Sequence, residues 1–539
     1  MTLKPFKKID MTGKISGKFI FIIIIASLAI SCHAKNNPLK SRVVAPTNPE
    51  RLEGSPYPMS ESPFRLYVVK DQNFSNNQLL TIETLQGVLA QTKPQIYRLR
   101  SGGYGIWMED LRNNYGVTLD YTYQSDFSGL LDHFKNDISG YILCNSDDPS
   151  VNVAISMCGI KKAVAVTPED EHVLKSLNLP EIKDVRGLDE KWFFNNYGDK
   201  ITKKIFCYQK ESKFAFLGDY AVFGKMITFF KPIGSDLTNR IFSAMTANSA
   251  LFGWGDDEYQ LVKQSSPHDI MVHAADWAAN LSTLTNFKVD VHQRAKMREI
   301  TPEENVHTVC FVMTDGDNIQ WVLNDFATNR RWYGCPDRSK VKLGWTISPA
   351  LYELAPTVLK YIYDHAENSE NGKDYFIASP SGLGYIFPDD FKDMQGYCEL
   401  TSRFMEKTDL RIVNVIGNSK SKIYLKPYLD QPNIDAVFFY YYSNYAAGRG
   451  TINWINGKPV IAARYNLWDG VFDTPSTLAN RLNNLSRDIH SPGGYSLIPV
   501  HVWTDGVDQV LDCVNRLKKD VRVVTPDEFV ALIKQNINH

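Results

Sequence analysis

The sequence predicts an α/β protein with an N-terminal open parallel α/β domain followed by a C-terminal (β/α) barrel-like domain. In both regions, apolar runs of strand length alternate with segments of helical periodicity, a pattern typical of parallel sheets. The alternation is most regular after residue 308, where eight strand candidates fall in roughly 230 residues, as in a (β/α) barrel. A charged stretch at 288–307 separates the two regions.

The first 31 residues have the features of an export signal. Lysines precede an apolar run at residues 19–30, which is shorter than the ~20 residues of a membrane-spanning helix. The run ends at Ser31-Cys32, and a small residue before a cysteine resembles a bacterial lipobox. We therefore expect an exported protein, periplasmic or at the cell surface, that is lipidated on Cys32 and so anchored to a membrane. The alternative is an ordinary signal peptide that is cleaved nearby, after Ala34.

The charge balance and the cysteine spacing exclude several kinds of partner and site. The chain has 59 Lys and Arg against 60 Asp and Glu and contains no basic stripe, so nucleic acid is not an expected partner. The cysteines are widely spaced and include no CxxC, which indicates neither a disulfide framework nor a zinc site. One disulfide is possible in an oxidising compartment, but the sequence does not show which cysteines would form it. We expect no metal and no other cofactor.

The chain divides into a tether, two domains and a linker. Residues 32–55 are polar and contain proline, as in a tether. The N-terminal α/β domain is predicted at 56–287, with strands at 64–69, 95–99, 140–144 and 163–167. Residues 288–307 form the predicted linker, with a solvated helix inside a single domain as the alternative.

The barrel-like domain is predicted at 308–539. Its strand candidates are 308–314, 342–347, 375–379, 410–416, 436–441, 459–465, 496–503 and 521–525. Helical segments lie between most of them, at 355–365, 388–405, 476–489, 507–517 and 526–535. An open α/β sheet is the alternative, because the connection at 442–458 lacks an obvious helix.

A distinctive segment follows the third of these strands: Gly382-Leu383-Gly384-Tyr385-Ile386-Phe387-Pro388. It resembles the GxGYxYP signature, with Phe387 in place of the second tyrosine, and so the chain resembles the GxGYxYP family of putative glycoside hydrolases. The resemblance implies a glycan substrate, hydrolysis of O-glycosyl bonds and a GxGYxYP domain at the C-terminus.

Carboxylates at the strand ends are the candidates for such chemistry, which usually needs one acid and one base or nucleophile. Asp315 and Asp317 follow a buried strand, and residues i and i+2 of an extended chain point to the same side. Asp505 lies in a second Thr-Asp-Gly on a strand that a barrel would place nearby. We predict that Asp315, Asp317 and Asp505 are catalytic, although each could instead cap a turn or a helix. Glu353 is a weaker candidate.

Substrate contacts are predicted from other residues at the same strand ends. Flat aromatic rings suit the faces of pyranoses, and an arginine could hold the carboxylate of a uronic acid. The predicted substrate-binding residues are Asn318, Ser381, Gly384, Tyr385, Arg464, Trp468, Asp469, His501 and Trp503. The acidic, aromatic loop at 253–258 could contribute to the cleft or form only a turn.

Two other functions remain open. A lipoprotein that binds glycans without cleaving them would use the same strand ends. A metal-assisted carbohydrate deacetylase is suggested by Thr-Asp-Gly-Asp at 314–317, but that chemistry also requires an HxxxH pair, which the 11 histidines do not form.

Overall fold

The computed structural model describes residues 47–293, 303–418 and 423–538. The predicted signal peptide, Cys32, the first part of the tether and residues 294–302 of the predicted linker lie outside the described residues. Within the described ranges, no helix is long and apolar enough to cross a membrane.

The N-terminal region contains three small parallel sheets. Its strands are β1 (Arg65–Lys70), β2 (Ile96–Leu99), β3 (Thr118–Asp120), β4 (Tyr141–Leu143), β5 (Val164–Val166), β6 (Glu181–Asp184), β7 (Ile205–Tyr208), β8 (Thr228–Phe229), β9 (Ser249–Gly253) and β10 (Ile270–His273). They are ordered β2–β1–β3, β5–β4–β6 and β10–β9–β7–β8. The parallel α/β class is confirmed, but the single open sheet expected from the sequence is divided into three.

Helices pack between these sheets. They are α1 (Asn76–Ala90), α2 (Tyr104–Asn114), α3 (Phe127–Phe134), α4 (Ser150–Lys161), α5 (Glu171–Ser176), α6 (Glu190–Tyr197), α7 (Gly218–Phe223), α8 (Asp236–Ala244), α9 (Glu258–Ser265) and α10 (Leu281–Leu284). Helix α1 is buried on all sides from Leu79 to Ala90 and contacts α4, α7 and β5. A helix that is buried all round belongs in the interior, so α1 lies between sheets rather than on the face of one.

One curled sheet forms the C-terminal region. Its strands are β11 (His307–Met313), β12 (Lys342–Ile347), β13 (Lys373–Ala378), β14 (Ile412–Gly417), β15 (Ala436–Tyr441), β16 (Ile452–Ile455), β17 (Lys458–Ala462), β18 (Tyr495–Val500) and β19 (Val521–Val523). The order is β16–β17–β15–β14–β13–β12–β11–β18, and every pair is parallel except β16 with β17.

The curled sheet departs from a regular (β/α) barrel of eight units, which is not confirmed. Strand β16 is an antiparallel edge strand, and β19 pairs with β11 outside the main strand order. Curling brings the residues after β17 close to β18, where the Arg464 N–H donates to the Leu497 carbonyl at 3.0 Å. Strands β13 and β14 pair only at Ala378 and Val413, because the side-chain amide of Gln293 hydrogen-bonds the backbone N–H and carbonyl of Phe376 there.

The helices of the C-terminal region connect these strands. They are α11 (Ile319–Trp321), α12 (Leu351–Leu354), α13 (Pro356–Asp364), α14 (Met394–Lys407), α15 (Lys426–Asp430), α16 (Pro475–Leu482), α17 (Val507–Asn515) and α18 (Pro526–Asn536). The seven cysteines in the described ranges are buried and free.

The N-terminal and C-terminal regions meet at the GxGYxYP-like segment. The backbones of Val272, in β10, and Tyr385 exchange two hydrogen bonds, at 2.9 and 3.0 Å. The Phe387 N–H donates to the Ser266 hydroxyl at 2.9 Å, and Lys263 pairs with Asp390 at 2.6 Å. The segment is therefore the place where the third N-terminal sheet joins the curled sheet.

Gly316 sets how closely the end of β11 approaches β12. A Cβ atom on Gly316 would lie 1.7 Å from the Thr346 carbonyl oxygen, and the Ser348 N–H donates to the Gly316 carbonyl at 3.0 Å. We expect Gly316→Ala to lower the free energy of unfolding by about 1–3 kcal/mol, because the backbone of β12 must move. Urea denaturation followed by circular dichroism measures this change.

Gly105→Ala is the matched control for that prediction. Gly105 lies inside α2, and its added methyl group would meet only Leu99, at 4.0 Å. Alanine favours helices over glycine, so this variant is expected to be at least as stable as the wild type. Equal stability of the two alanine variants would contradict the account of Gly316.

Candidate active site

A cavity of about 300 Å³ lies at the carboxyl ends of the C-terminal strands. Five residues predicted from the sequence line it: Asp315, Asp317, Asn318, Tyr385 and Trp503. Glu258, from the N-terminal region, also lines it. The cavity therefore combines both regions of the chain.

Asp315 is the second residue after β11 and is held by residues at the ends of two adjacent strands, β11 and β18. Its carboxylate accepts hydrogen bonds from the Thr314 hydroxyl and, at 3.1 Å, from the Trp503 indole N–H. Its φ of 69° is left-handed. The backbone is therefore not extended at Asp315, in contrast to the prediction from the sequence. Asp315 and Asp317 nevertheless line the same cavity, because the turn at Gly316 returns the chain to it.

Asp317 is a partly buried carboxyl group with a strongly perturbed pKa. Burial raises its pKa well above the ordinary value, and the nearby charges of Asp315 and Glu258 raise it further. Desolvation and like charge both disfavour the ionised form. Asp317 therefore retains its proton at a pH at which an exposed aspartate has lost it.

Glu258 lies in the first turn of α9, directly after the helix cap Asp257. The Tyr385 hydroxyl donates to Glu258 Oε1 at 3.0 Å. Burial, followed by the charge of Asp315, raises the pKa of Glu258 to about 7, while the hydrogen bond from Tyr385 opposes this rise. A carboxyl group that titrates near neutral pH in a cavity is suited to acid–base catalysis.

The two glycines of the GxGYxYP-like segment, and Ser381 directly before it, do not line the cavity. A Cβ on Gly384 would lie 2.9 Å from Met271 Cβ, so this glycine permits close packing on β10. Gly382 has a φ of 112° and packs against Thr401. Ser381 is fully buried and donates to the Ile386 carbonyl at 3.0 Å. In this segment Tyr385 contributes its side chain to the cavity.

Five further candidates lie outside the cavity. Trp468 stacks on His501 with ring centroids 3.8 Å apart. Asp505 is fully buried, and its Oδ2 accepts from the Asp469 N–H at 2.9 Å. Arg464 donates to the carbonyls of Tyr495 and Pro492, at 2.9 and 2.7 Å, so its guanidinium binds backbone in this structure.

Glu353 also lies outside the cavity. Its carboxylate accepts from the Leu52 N–H at 2.7 Å and from the Ser55 hydroxyl, and burial raises its pKa to about 7. These contacts hold residues 52–55 against the C-terminal region, so Glu353 has a structural role.

The sequence did not single out four of the cavity residues, which are Gln320, Asn414, Tyr440 and Tyr445. The alternation along strands could have indicated Asn414 and Tyr440, since every second residue of a curled sheet faces inward. Trp254 and Glu258 both belong to the acidic, aromatic loop at 253–258, which the sequence indicated as a possible part of the cleft. Across the described ranges, no group of three or more His, Cys, Asp or Glu side chains is arranged to hold a metal ion.

Four family models match successive parts of the chain. They describe the first, second and third N-terminal domains of GxGYxYP proteins, at residues 65–136, 138–201 and 203–286. The fourth, the GxGYxYP putative glycoside hydrolase C-terminal domain, matches residues 305–534. The chain belongs to the GxGYxYP family. Each N-terminal GxGYxYP model contains one of the three small sheets, and Glu258 lies in the third.

A solved structure supports this assignment. The crystal structure of a putative hydrolase from Bacteroides thetaiotaomicron is 30% identical, with a TM-score of 0.82, over 90% of this chain and 98% of that one. No curated protein matches the chain. The GxGYxYP assignment thus rests on sequence models and on the whole fold together.

The raised pKa of Glu258 has a consequence for stability. In the unfolded chain the group titrates near 4.5 and in the folded chain near 7, so rising pH between these values destabilises the native state. We expect Glu258→Gln to gain about 1–3 kcal/mol of unfolding free energy over wild type at pH 8, where the penalty is complete. At pH 4.5 the gain should vanish. Urea denaturation across this pH range measures the difference.

Glu399→Gln provides the matched control. Glu399 is exposed on α14 and outside the cavity, where it accepts a hydrogen bond from Gln395. Because Glu399 is exposed, its substitution should change the free energy of unfolding by less than about 0.5 kcal/mol at both pH 4.5 and pH 8. A gain for Glu258→Gln that is equal at pH 4.5 and pH 8 would contradict the assignment of a raised pKa.

Proposed function

We propose that this GxGYxYP protein hydrolyses O-glycosyl bonds of a glycan in the cavity lined by Glu258, Asp315 and Asp317. The observation that carries the proposal is that one cavity contains three carboxyl groups in different electrostatic environments. The charge of Asp315 raises the pKa of both neighbours, and Glu258 titrates at about 7. Environments that push the pKa values of neighbouring carboxyl groups apart are the hallmark of acid–base assignments in glycosidases.

In this proposal Glu258 is the general acid. Protonated near neutral pH, its carboxyl group donates a proton to the glycosidic oxygen as the bond to the anomeric carbon breaks. The Tyr385 hydroxyl, 3.0 Å from Glu258 Oε1, then stabilises the carboxylate that remains. The same hydrogen bond fixes the orientation of the Glu258 side chain.

Asp315 is proposed as the base or nucleophile. The Trp503 indole N–H and the Thr314 hydroxyl both donate to its carboxylate and fix its position. It either activates a water molecule or attacks the anomeric carbon directly. Asp317, protonated beside Asp315, is placed to donate a hydrogen bond to a ligand or to Asp315.

Turnover of a glycan panel by purified protein tests the proposal. We expect Asp315→Asn to lower kcat by about 10²–10⁴-fold on every cleaved substrate, with substrate binding retained. Glu258→Gln should lose a similar factor on natural glycans but much less on nitrophenyl glycosides, because a nitrophenolate leaves without protonation. Product analysis and steady-state kinetics measure both effects, with Glu399→Gln as the control.

Two outcomes would contradict this scheme. Glycan binding without cleavage across a broad panel would favour a non-catalytic glycan-binding protein. A leaving-group-dependent loss in Asp317→Asn, with Glu258→Gln unaffected, would transfer the acid role to Asp317.

We also propose that the protein is exported and anchored to a membrane through lipidated Cys32. The support is the sequence alone: a basic and apolar leader that ends in Ser31-Cys32. We expect wild-type protein expressed in bacteria to incorporate labelled palmitate and to fractionate with membranes, and Cys32→Ala to do neither. A mature wild-type N-terminus beyond Ala34, found by mass spectrometry, would instead support an ordinary signal peptide.

A further inference from the structure

Two fully buried side chains, Asn414 of β14 and Tyr440 of β15, form what we call the inner wall of the cavity. The Asn414 amide N–H donates to the Phe438 carbonyl at 3.0 Å, and the Tyr440 ring stacks on Tyr445 with centroids 5.3 Å apart. These contacts hold both side chains in place.

Each inner-wall residue has a polar atom that lacks a partner among the described residues. Asn414 Oδ1 and the Tyr440 hydroxyl are both shielded from solvent and make no hydrogen bond there. Leaving a buried polar group unpaired is unfavourable. An amide oxygen accepts a hydrogen bond and a phenol can donate one, so a ligand rich in hydroxyl groups would satisfy both atoms.

The charges of the cavity limit which sugars can bind. Glu258, Asp315 and Asp317 line it, and none of the described lining residues is Lys or Arg. A uronate or sulfated sugar would add a negative charge close to Asp315 without a cation to pair with. Arg464, the residue predicted to bind a uronic acid, lies outside the cavity and donates to backbone carbonyls.

The volume of the cavity limits the size of the ligand that can bind. Its volume of about 300 Å³ lies at the lower end of the roughly 300–1,000 Å³ typical of small-molecule sites. This space suits one sugar ring rather than several. Tyr385 and Trp503 supply aromatic surfaces at its sides.

We infer that the cavity binds a single uncharged sugar unit, and that Asn414 and Tyr440 determine specificity by hydrogen-bonding its hydroxyl groups. The inference deepens the proposed function, on which it rests for the statement that the bound sugar belongs to a glycan that is cleaved. Its own content is the class of sugar and the two residues that recognise it. Both can be measured without turnover.

The experiment compares binding of neutral hexoses and pentoses with that of glucuronate and galacturonate to the full-length protein at pH 8. Ligand-observed NMR titration gives dissociation constants in the weak range expected of monosaccharides. We expect at least one neutral sugar to bind at least tenfold more tightly than either uronate. Equal or tighter binding of a uronate, or no binding of any neutral sugar, would overturn the inference.

Variants then test the inner wall. Tyr440→Phe removes one hydroxyl group, and Asn414→Leu removes the amide at similar volume; each should weaken binding of the neutral sugar by about tenfold, equivalent to about 1.4 kcal/mol. Tyr220→Phe is the matched control. The Tyr220 hydroxyl is also buried and has no hydrogen-bond partner in the part of the chain that the structure describes, but it lies in the N-terminal region outside the cavity. Unchanged affinity in Tyr440→Phe, which retains the ring and its packing, would overturn the role of the inner wall.

Failure of the inference and failure of the proposed function give different results. Hydrolysis of uronate-containing glycans, abolished by Asp315→Asn, would keep the function and overturn the inference. Selective binding of a neutral sugar that depends on Tyr440, without cleavage of any glycan built from that sugar, would support the inferred sugar recognition and overturn the proposed hydrolase function.

Discussion

The cavity depends on two backbone hydrogen bonds between Val272 and Tyr385. Buried backbone groups must be paired, and here the pairing joins a strand of the N-terminal region to the segment that follows β13. It places the Tyr385 hydroxyl 3.0 Å from Glu258 and so brings a carboxyl group from the third N-terminal domain into a cavity of the C-terminal sheet. Gly384 permits this approach, because any side chain there would meet Met271. The main role of the segment is thus to form the contact between the third N-terminal domain and the C-terminal domain.

The pKa shifts of the site depend on that contact between domains. Without Glu258 the cavity would contain a local pair of aspartates; with it, three carboxyl groups share one poorly solvated space. Burial and the charge of Asp315 raise the pKa of Asp317 and Glu258, and the Tyr385 hydroxyl limits the rise at Glu258. Such a cluster costs stability at neutral pH, which is typical of functional sites rather than of structural ones. No basic side chain among the described lining residues offsets the charge.

Much of the C-terminal sheet could be predicted from local pattern, because its strands are short apolar runs between helical segments. Strands β12 and β15 lie at the residues expected, and β11 begins one residue earlier. The division of the N-terminal region into three sheets could not be predicted, because strand pairing is a long-range choice. The two-residue strand β8 and helix α1, buried all round, carry no local signal of which sheet they join.

The sequence by itself determined the family, the α/β class and the position of Asp315 and Asp317 at a strand end, because these depend on motif, periodicity and neighbours along the chain. Only the tertiary structure decided that Glu258 joins them and that Arg464, Asp469 and Asp505 lie outside the cavity. The hydrogen bond that brings Glu258 to Tyr385 joins residues 127 positions apart. Arg464 and Asp505 are held by residues 31 and 36 positions away, which are also beyond the range of local sequence patterns. Composition and spacing report what a residue can do, whereas burial and partners decide what it does.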